Sequence, residues 1–313
     1  MNSRLSDNLP PKNPPFSKPI IDLISQRFSC RTYQKRDLDR EIRSKLGDFA
    51  ASTKTGPLGY EARFELVASS EQDPMRLRSL GTYGFISGAS AYLVGAMEGN
   101  RFSPEDFGYL LEKLILYATD LGLGTCWLGG TFTKSSFAKK INARSSELVP
   151  AVSAVGYIAE RPRRIETWLK SRRGTKTRKP WSQLFFDHRF SCPLPAQGLD
   201  GYHLALEMVR LAPSASNRQP WRVVRDENQY HFYLQRTPGY RDNLLTRWTT
   251  VADLQRMDMG IAMCHFELSA AEKGLLGGWQ LRDPQIELLD EYTEYTVSWI
   301  AKNARINQKF FHG

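Results

Sequence analysis

Cysteine and long hydrophobic runs are both scarce in this sequence. The four cysteines lie far apart, at positions 30, 126, 192 and 264, and form neither a CxxC pair nor a zinc-ligand spacing. Isolated thiols in a chain of this size are typical of a reducing compartment, so we expect a cytoplasmic protein. The weakly polar stretch 85–97 is shorter than the ~20 apolar residues of a membrane helix, and the proline-rich N-terminus lacks the apolar core of a signal peptide. We therefore expect neither membrane association nor a metal site.

The positive charge is confined to one segment. Lys and Arg number 43 against 33 Asp and Glu, a formal charge of +10. Residues 161–179 contain nine basic residues and one acid, a local charge of +8, which leaves +2 for the rest. This distribution argues against a nucleic-acid partner for the protein as a whole. The segment itself could serve a phosphate, a polyanion or solubility.

Three landmarks recur in the same order. Arg27-Phe28-Ser29-Cys30 returns as Arg189-Phe190-Ser191-Cys192, the strand-like stretch 64–67 matches 221–224, and the Gly-Leu pair at 122 returns at 274. With 313 residues, the chain has room for two domains. The repeats predict a tandem duplication. We predict a disordered proline-rich N-terminus (1–18), a first half (19–160), a basic linker (161–180), a second half (181–300) and a tail (301–313).

Hydrophobic spacing predicts similar elements in both halves. Apolar residues three to four apart predict helices around 38–49 and 204–211, and stronger apolar stretches predict helices over 109–121 and 257–273, each ending at a glycine. Short helical stretches are expected over 19–24 and 181–186. Strands are predicted at 64–67, 151–158, 221–224 and 231–234. The mixture indicates an α+β fold with a mainly antiparallel sheet.

Two motifs carry the residue types that bind a ligand. In the start motif, residues 27–31, Arg27 and Arg31 flank Ser29 and offer planar cations and a hydroxyl to a phosphate or ribityl chain. The alternative is a solvated helix end. The second motif, residues 212–221, places the amides of Asn217 and Gln219 between two prolines, where they suit a heteroaromatic ring. Its alternative is an ordinary helix-to-strand loop.

Together these motifs resemble the nitroreductase family of flavin-dependent oxidoreductases. The resemblance covers residues 20–285 and rests on the start motif, on the Asn-x-Gln-Pro-Trp element at 217–221, on the Leu-Gly-Leu segment running to Gly130, and on the basic run 176–180. More narrowly, the chain resembles family members in which two domains are fused in one polypeptide. Such a chain imitates the usual homodimer and could therefore act as a monomer. The resemblance implies a nitroreductase-like fold with bound FMN.

The resemblance also implies which residues bind the cofactor. Arginines and Ser29 would hold its phosphate and ribityl chain, the second motif would line the ring, and the glycine turn would pass its N5 edge. The implied residues are Arg27, Phe28, Ser29, Arg31, Thr82, Tyr83, Trp127, Leu128, Gly129, Gly130, Lys176, Arg178, Pro213, Ser214, Ala215, Asn217 and Gln219. One FMN per chain is expected, because Pro193, Tyr60 and Ala62 stand where a second site would need a cation and two amides.

The implied activity is hydride transfer from NAD(P)H through flavin to a small acceptor such as a nitroaromatic, a quinone or another metabolite. We expect no catalytic side chain, because the flavin carries the chemistry. The alternative is a flavin-binding protein without its own turnover.

Overall fold

Two sheets flank a central pair of long helices. The structure is a computed structural model that describes residues 16–69, 73, 75–77, 80–99, 101–160, 177–196, 201–239 and 253–302. Its helices are α1 (Ile20–Gln26), α2 (Arg40–Ser52), α3 (Ser103–Asp120), α4 (Lys134–Lys140), α5 (Tyr202–Leu211) and α6 (Leu254–Glu272). Its strands are β1 (Ala62–Ala68), β2 (Ala91–Glu98), β3 (Gly124–Leu128), β4 (Glu147–Leu148), β5 (Val152–Gly156), β6 (Phe185–Asp187), β7 (Arg189–Pro193), β8 (Trp221–Asp226), β9 (Gln229–Gln235), β10 (Gly277–Gln280) and β11 (Thr293–Ala301).

Four strands of one sheet correspond in order to four strands of the other: β1-β2-β5-β3 to β8-β9-β11-β10. The first runs β1-β2-β5-β3, with β4 on β2, and all of its pairs are antiparallel. The second runs β10-β11-β9-β8-β6-β7, and only the β6–β8 pair is parallel. Helix α3 packs on the first sheet and α6 on the second. This confirms the expected mixture of helices and a mainly antiparallel sheet.

The helix predicted at 181–186 is wrong. Residues Trp181–Gln183 form one 3-10 turn, and Phe185–Asp187 continue as strand β6. Phe185 pairs in parallel with Val223, and both phenylalanines of the strand are buried. A short apolar run fits a buried strand as well as a helix, so its periodicity could not distinguish them.

The two Arg-Phe-Ser-Cys copies occupy different places. Ser29 forms a parallel bridge to Thr125 and so lies beside β3. Ser191 lies in β7, which pairs with β6 at the end of the second sheet away from β10. These four-residue copies are therefore not structural counterparts, although β3 and β10 hold the corresponding end positions in their sheets.

Both long helices end as predicted at a glycine in the left-handed region. The φ angles of Gly122 and Gly274 are 80° and 70°, values that glycine adopts at little cost. The N–H of Leu123 donates to Ala118 O at 2.9 Å, and the N–H of Leu275 donates to Ala270 O at the same distance. Each helix thus closes with the same capping hydrogen bond.

The central helices touch through their backbones. A Cβ added at Gly108 would overlap the carbonyl of Met257, and one added at Gly260 would overlap the carbonyl oxygen of Glu105. Glycine at both positions lets α3 and α6 approach more closely than side chains would allow. Most residues of each helix are also buried. The crossing therefore joins the two halves.

Some expectations fall on residues outside the described part of the chain. These are residues 1–15 of the N-terminus, 161–176 of the basic linker, and 303–313 of the tail. Within the described ranges, no helix is both long and apolar enough to cross a membrane. Those ranges also contain no cluster of His, Cys, Asp and Glu that could hold a metal ion. Of the four thiols, none is in a disulfide, and only Cys192 is exposed.

Replacing Gly260 with Ala should destabilise the protein by several kcal/mol, because the new methyl group meets backbone that cannot rotate away. Gly47→Ala is the control. It lies inside α2 with no atom within 4 Å of the added Cβ, and should stabilise by roughly 0.5–1 kcal/mol. Urea unfolding of the full chain measures both. Equal stability of Gly260→Ala and wild type would contradict the close crossing.

Candidate functional site

The start motif leaves α1 and runs beside β3. Arg27 caps the helix, and its side chain is almost fully buried, with Nε 3.6 Å from Glu112 Oε1. The N–H of Cys30 then donates to Thr125 O at 2.8 Å. Arg31 donates from Nη1 to Ser29 O at 3.3 Å. The motif is therefore fixed to the first sheet through its backbone, while the Arg27 side chain enters the protein beside α3.

Strand β3 leads from the start motif to the second half. Trp127 donates from its indole N–H to Glu112 Oε2 at 2.6 Å, so Arg27 and Trp127 share one carboxylate. A Cβ added at Gly129 would lie 2.6 Å from a methyl carbon of Leu254, the first residue of α6. A larger residue at this position would therefore require the Leu254 side chain to move.

The loop after α5, residues 212–220, has a strained backbone. Ser216, Asn217 and Gln219 have φ angles of 51°, 55° and 49°. Non-glycine residues in this region cost of order 1–3 kcal/mol each and persist only where surrounding contacts fix them, often at ligand sites. Two such contacts come from Ser214 Oγ, which accepts the Gln219 N–H at 2.8 Å, and from Asp258, which binds the Ala215 N–H.

Asp258 is the buried anchor of this loop. It lies one turn into α6, and its two oxygens accept the Ala215 N–H at 2.9 and 3.1 Å. Burial raises the pKa of Asp258 well above its usual range. Asp106 on α3 does the same in the first half: its carboxylate accepts the N–H groups of Leu58 and Tyr60 at 3.0 and 2.8 Å. Both central helices thus hold the loop of their own half.

Residues 177–179, the end of the basic segment, form hydrogen bonds with the 212–220 loop. Arg178 donates to Asn217 Oδ1 and to Leu211 O, both at 2.7 Å. The Asn217 amide donates to Thr177 O at 3.0 Å, and Gln219 Oε1 accepts the Lys179 N–H at 2.8 Å. The sequence analysis assigned these two amides to a bound ring. In the structure they bind the chain itself and hold residues 177–179 against the loop.

This arrangement concentrates positive charge. Burial, followed by repulsion from Arg27 and Arg210, lowers the pKa of Arg178 to about 10. Burial likewise lowers the pKa of Lys179 to about 8, with Arg222 and Arg218 contributing. Arg27 from the first half thus lies close enough to Arg178, beside the second-half loop, for their charges to interact.

Not every sequence-predicted residue joins this cluster. Thr82 is buried and accepts the Phe85 N–H in a turn, while Tyr83 is exposed with a φ of 47°. Their turn is fixed by the Thr133 N–H, which donates to Gly81 O at 3.0 Å. Lys176 lies outside the described residues. The remaining predicted positions lie along the start motif, the end of β3 and the 212–220 loop: Phe28, Leu128, Gly130 and Pro213.

Sequence reasoning missed the residues that hold the site from inside the helices. Asp258 and Glu112 are buried polar residues on apolar helices, and neither belongs to a motif. One signal was available for Asp258: its spacing from Asp106 is 152 residues, the same as that between Gly122 and Gly274. For Glu112 the sequence carries no comparable signal.

Comparison with known proteins identifies the family. The family model described as "Putative TM nitroreductase" matches residues 19–270, most of the chain. The chain therefore belongs to this nitroreductase family. A structure described as a "putative nitroreductase" from Thermotoga maritima MSB8 is similar over 94% of this chain and 98% of that chain, with 18% identity and a TM-score of 0.57. At this identity, the likeness concerns the fold.

Other solved structures match about half of the chain. A nitroreductase with bound FMN from Bacteroides fragilis NCTC 9343 aligns with 47% of this chain and 92% of that chain, with 18% identity and a TM-score of 0.36. An FMN-dependent nitroreductase from Clostridium difficile R20291 aligns with 46% and 90%, with 20% identity and a TM-score of 0.37. A search of curated proteins gives no significant match.

Removing the buried Asp106 carboxyl should change how stability depends on pH. Burial raises the pKa of Asp106 to about 7 in the folded protein, whereas an unfolded Asp titrates near 3.9. The folded state therefore binds the proton more tightly, and this stabilisation is complete below pH ~4 and lost as the pH rises through 7. Relative to Asp106→Asn, the wild type should lose roughly 4 kcal/mol between pH 4 and pH 8.

Chemical unfolding at several pH values measures this difference. Asp48→Asn on the exposed face of α2 provides a matched control in which no buried carboxyl is removed. If the free energies of unfolding of wild type and Asp106→Asn differ by the same amount at every pH, folded Asp106 does not hold its proton more tightly than unfolded Asp.

Proposed function

We propose that the protein is an FMN-dependent oxidoreductase of nitroreductase type. The observation that carries the proposal is the meeting of Arg27, from the start motif of the first half, with Arg178 and the strained loop of the second. Burial lowers the pKa of Arg178, and repulsion from Arg27 and Arg210 adds to the effect. A flavin phosphate would supply a counter-charge for Arg178, and family membership supports the identity of the ligand.

The donor set fits FMN. The buried Arg27 Nε forms an ion pair with Glu112 Oε1 at 3.6 Å, which is too long for a hydrogen bond, and buried polar groups of this kind normally have a hydrogen-bond acceptor. Ser29 adds a hydroxyl two residues further along the chain. Arg31 and Lys176 would complete the phosphate and ribityl contacts, as the family resemblance implies. Among side-chain donors, the planar guanidinium of arginine matches the geometry of phosphate oxygens best.

The loop 213–219 would lie against the flavin ring. Since Gln219 is only 3% exposed and its amide binds Lys179 and Asn217, we assign it to holding the loop rather than to the ring. The backbone of Ser214, Ala215 and Asn217 then faces the ligand, with Gly129 and Gly130 on the first-half side. Bound FMN would supply hydride acceptance and donation at its ring; the chain would bind it, orient it and exclude water.

We further infer that the two halves arose by tandem duplication. The spacing of 152 residues relates the loop-anchoring aspartates 106 and 258, the crossing glycines 108 and 260, the helix-ending glycines 122 and 274, and the tryptophans 127 and 279. The loop residues that the aspartates bind, Leu58 and Ala215, are 157 apart, the loop offset of the sequence analysis. Corresponding strand orders in the two sheets support the same origin. On this basis the single chain would act as a monomer.

We keep NAD(P)H as the proposed electron donor, a small nitroaromatic, quinone or other metabolite as acceptor, and the cytoplasm as the compartment. The direct test is to purify the full chain, identify any bound flavin after denaturation, and follow NAD(P)H oxidation with several acceptors. Release of FMN together with turnover supports the proposal. FMN that is bound but never reduced indicates the flavin-binding alternative, and a chain that takes up no FMN excludes both.

Arg31→Ala should weaken FMN binding by about tenfold or more and riboflavin binding much less, because only FMN carries the phosphate and a charge-assisted hydrogen bond is worth roughly 1.5–3 kcal/mol. Titration of flavin-free protein by fluorescence quenching measures both affinities. Arg40→Ala, at the exposed start of α2, is the control. If FMN and riboflavin lose the same affinity, Arg31 does not contact the phosphate.

One chain should bind one FMN. The counterpart start motif lies in β7 rather than beside β10, Pro193 replaces the cation, and Tyr60 and Ala62 replace the amides, so a second site lacks its donors. Isothermal titration should give a stoichiometry near one. Asp258→Ala removes both acceptors of the Ala215 N–H and should weaken binding at least tenfold by releasing the loop, whereas Asp106→Ala at the corresponding position should not. A stoichiometry near two, or equal effects of the two variants, would contradict this asymmetry.

A further inference from the structure

A buried hydrogen-bonded pair joins the two central helices. Glu112 lies on α3 and His265 on α6, and both side chains are fully buried. The His265 Nε2 lies 3.0 Å from Glu112 Oε1, and its Nδ1 lies 2.9 Å from the backbone oxygen of Met208 at the end of α5. The sequence alone suggests a core histidine, but this ring is held at both nitrogens.

The geometry requires a proton between the two side chains. A backbone carbonyl only accepts hydrogen bonds, so the His265 Nδ1 facing Met208 must carry a hydrogen. The Nε2 faces a carboxylate oxygen, and two lone pairs do not approach to 3.0 Å in the protein interior without a proton between them. The imidazole and carboxyl of this pair therefore hold one proton more than a neutral imidazole beside a carboxylate.

The same carboxylate holds two residues of the proposed flavin site. Its Oε2 accepts the Trp127 indole N–H at 2.6 Å, and its Oε1 lies 3.6 Å from the Arg27 Nε. The donors around Glu112 thus come from α1, from β3 and from α6. A cation and an indole donor beside it favour the carboxylate form, which places the shared proton on His265.

We propose that Glu112 and His265 form a positioning pair that orients Arg27 toward the FMN phosphate and fixes Trp127 beside the ring. Neither residue touches the ligand; both act through Arg27 and Trp127, and the α6 histidine keeps the α3 carboxylate charged and aligned. The assignment of a ligand to Arg27 rests on the proposed function. The hydrogen bonding between Glu112 and His265 does not depend on that function.

Glu112→Gln separates charge from shape. The glutamine oxygen can still accept the Trp127 N–H, and its amide can donate to the Nε2 of a neutral His265, so the packing is retained. The negative charge opposite Arg27 is lost. Glu267→Gln is the matched control, because Glu267 on α6 accepts the Trp279 indole N–H at 2.7 Å in the same manner and the proposed site contains neither residue.

Nitrogen NMR of the flavin-free full chain, labelled at His, Arg and Trp, gives the first readout. We expect both His265 ring nitrogens to be protonated in wild type and in Glu267→Gln, and only one in Glu112→Gln. The Arg27 Nε–H should exchange with solvent about tenfold faster in Glu112→Gln, while the Trp127 indole N–H stays protected. A wild-type His265 with one protonated nitrogen, or an Arg27 N–H unaffected by Glu112→Gln, would overturn the proposal.

Flavin titration gives the second readout. Glu112→Gln should weaken FMN binding roughly tenfold relative to riboflavin, and Glu267→Gln should change neither. If Glu112→Gln leaves the ratio of FMN affinity to riboflavin affinity unchanged, Glu112 and His265 do not orient Arg27 toward the phosphate. If wild type binds no flavin at all, the proposed function fails, while the NMR result still decides whether the pair orients Arg27. A Glu112→Gln chain that does not fold leaves the wild-type His265 spectrum and its Arg27 exchange rate as the deciding measurements.

Discussion

The backbone contact between α3 and α6 is the constraint on which the rest of the structure depends. Glycine at 108 and at 260 lets the helices touch, and that contact sets the separation of the two sheets. Two residues that hold the candidate site lie on these helices, within a turn or so of the glycines. Asp258 reaches the 212–220 loop from one helix, and Glu112 reaches Arg27 and Trp127 from the other.

The candidate site combines a loop that is fixed by several hydrogen bonds with a buried cation, Arg178, that lies near other cations. The loop around Asn217 keeps three left-handed residues because Arg178, Asp258 and Ser214 fix it from three directions. The same packing removes Arg178 from water and leaves it near other cations. Both properties are costly for a protein that binds nothing. An anionic ligand would offset the electrostatic part of that cost.

The sequence predicted the elements whose signals are local. The α3 and α6 helices, their ends at Gly122 and Gly274, and strands β1 and β8 all follow from periodicity and glycine chemistry. It missed what depends on tertiary context. The run 181–186 became a strand because β8 offered Phe185 a partner, and the identical tetrapeptides at 27 and 189 diverged because only the first lies next to β3. Strand β2 was missed because apolar residues on both faces hide the alternation.

For the candidate site, the motifs predict positions, and the structure shows which hydrogen-bond partners those residues have. Asn217 and Gln219 were expected to meet a ring, yet their amides bind Thr177, Arg178 and Lys179. A single sequence shows which groups can form hydrogen bonds, whereas the fold decides which group takes each one. The buried carboxylates were missed for the same reason. The role of an acidic residue on an apolar helix can be assigned only when its hydrogen-bond donors are known.

Because both central helices belong to one polypeptide, the glycine crossing is an intramolecular contact. Its formation does not depend on how many molecules surround it, so the site between the halves would persist at dilutions where separate subunits come apart. A chain of this kind can also change residue 108 without changing residue 260. A symmetric pair of subunits must accept every substitution twice, whereas here one side of the contact can vary while the other stays fixed.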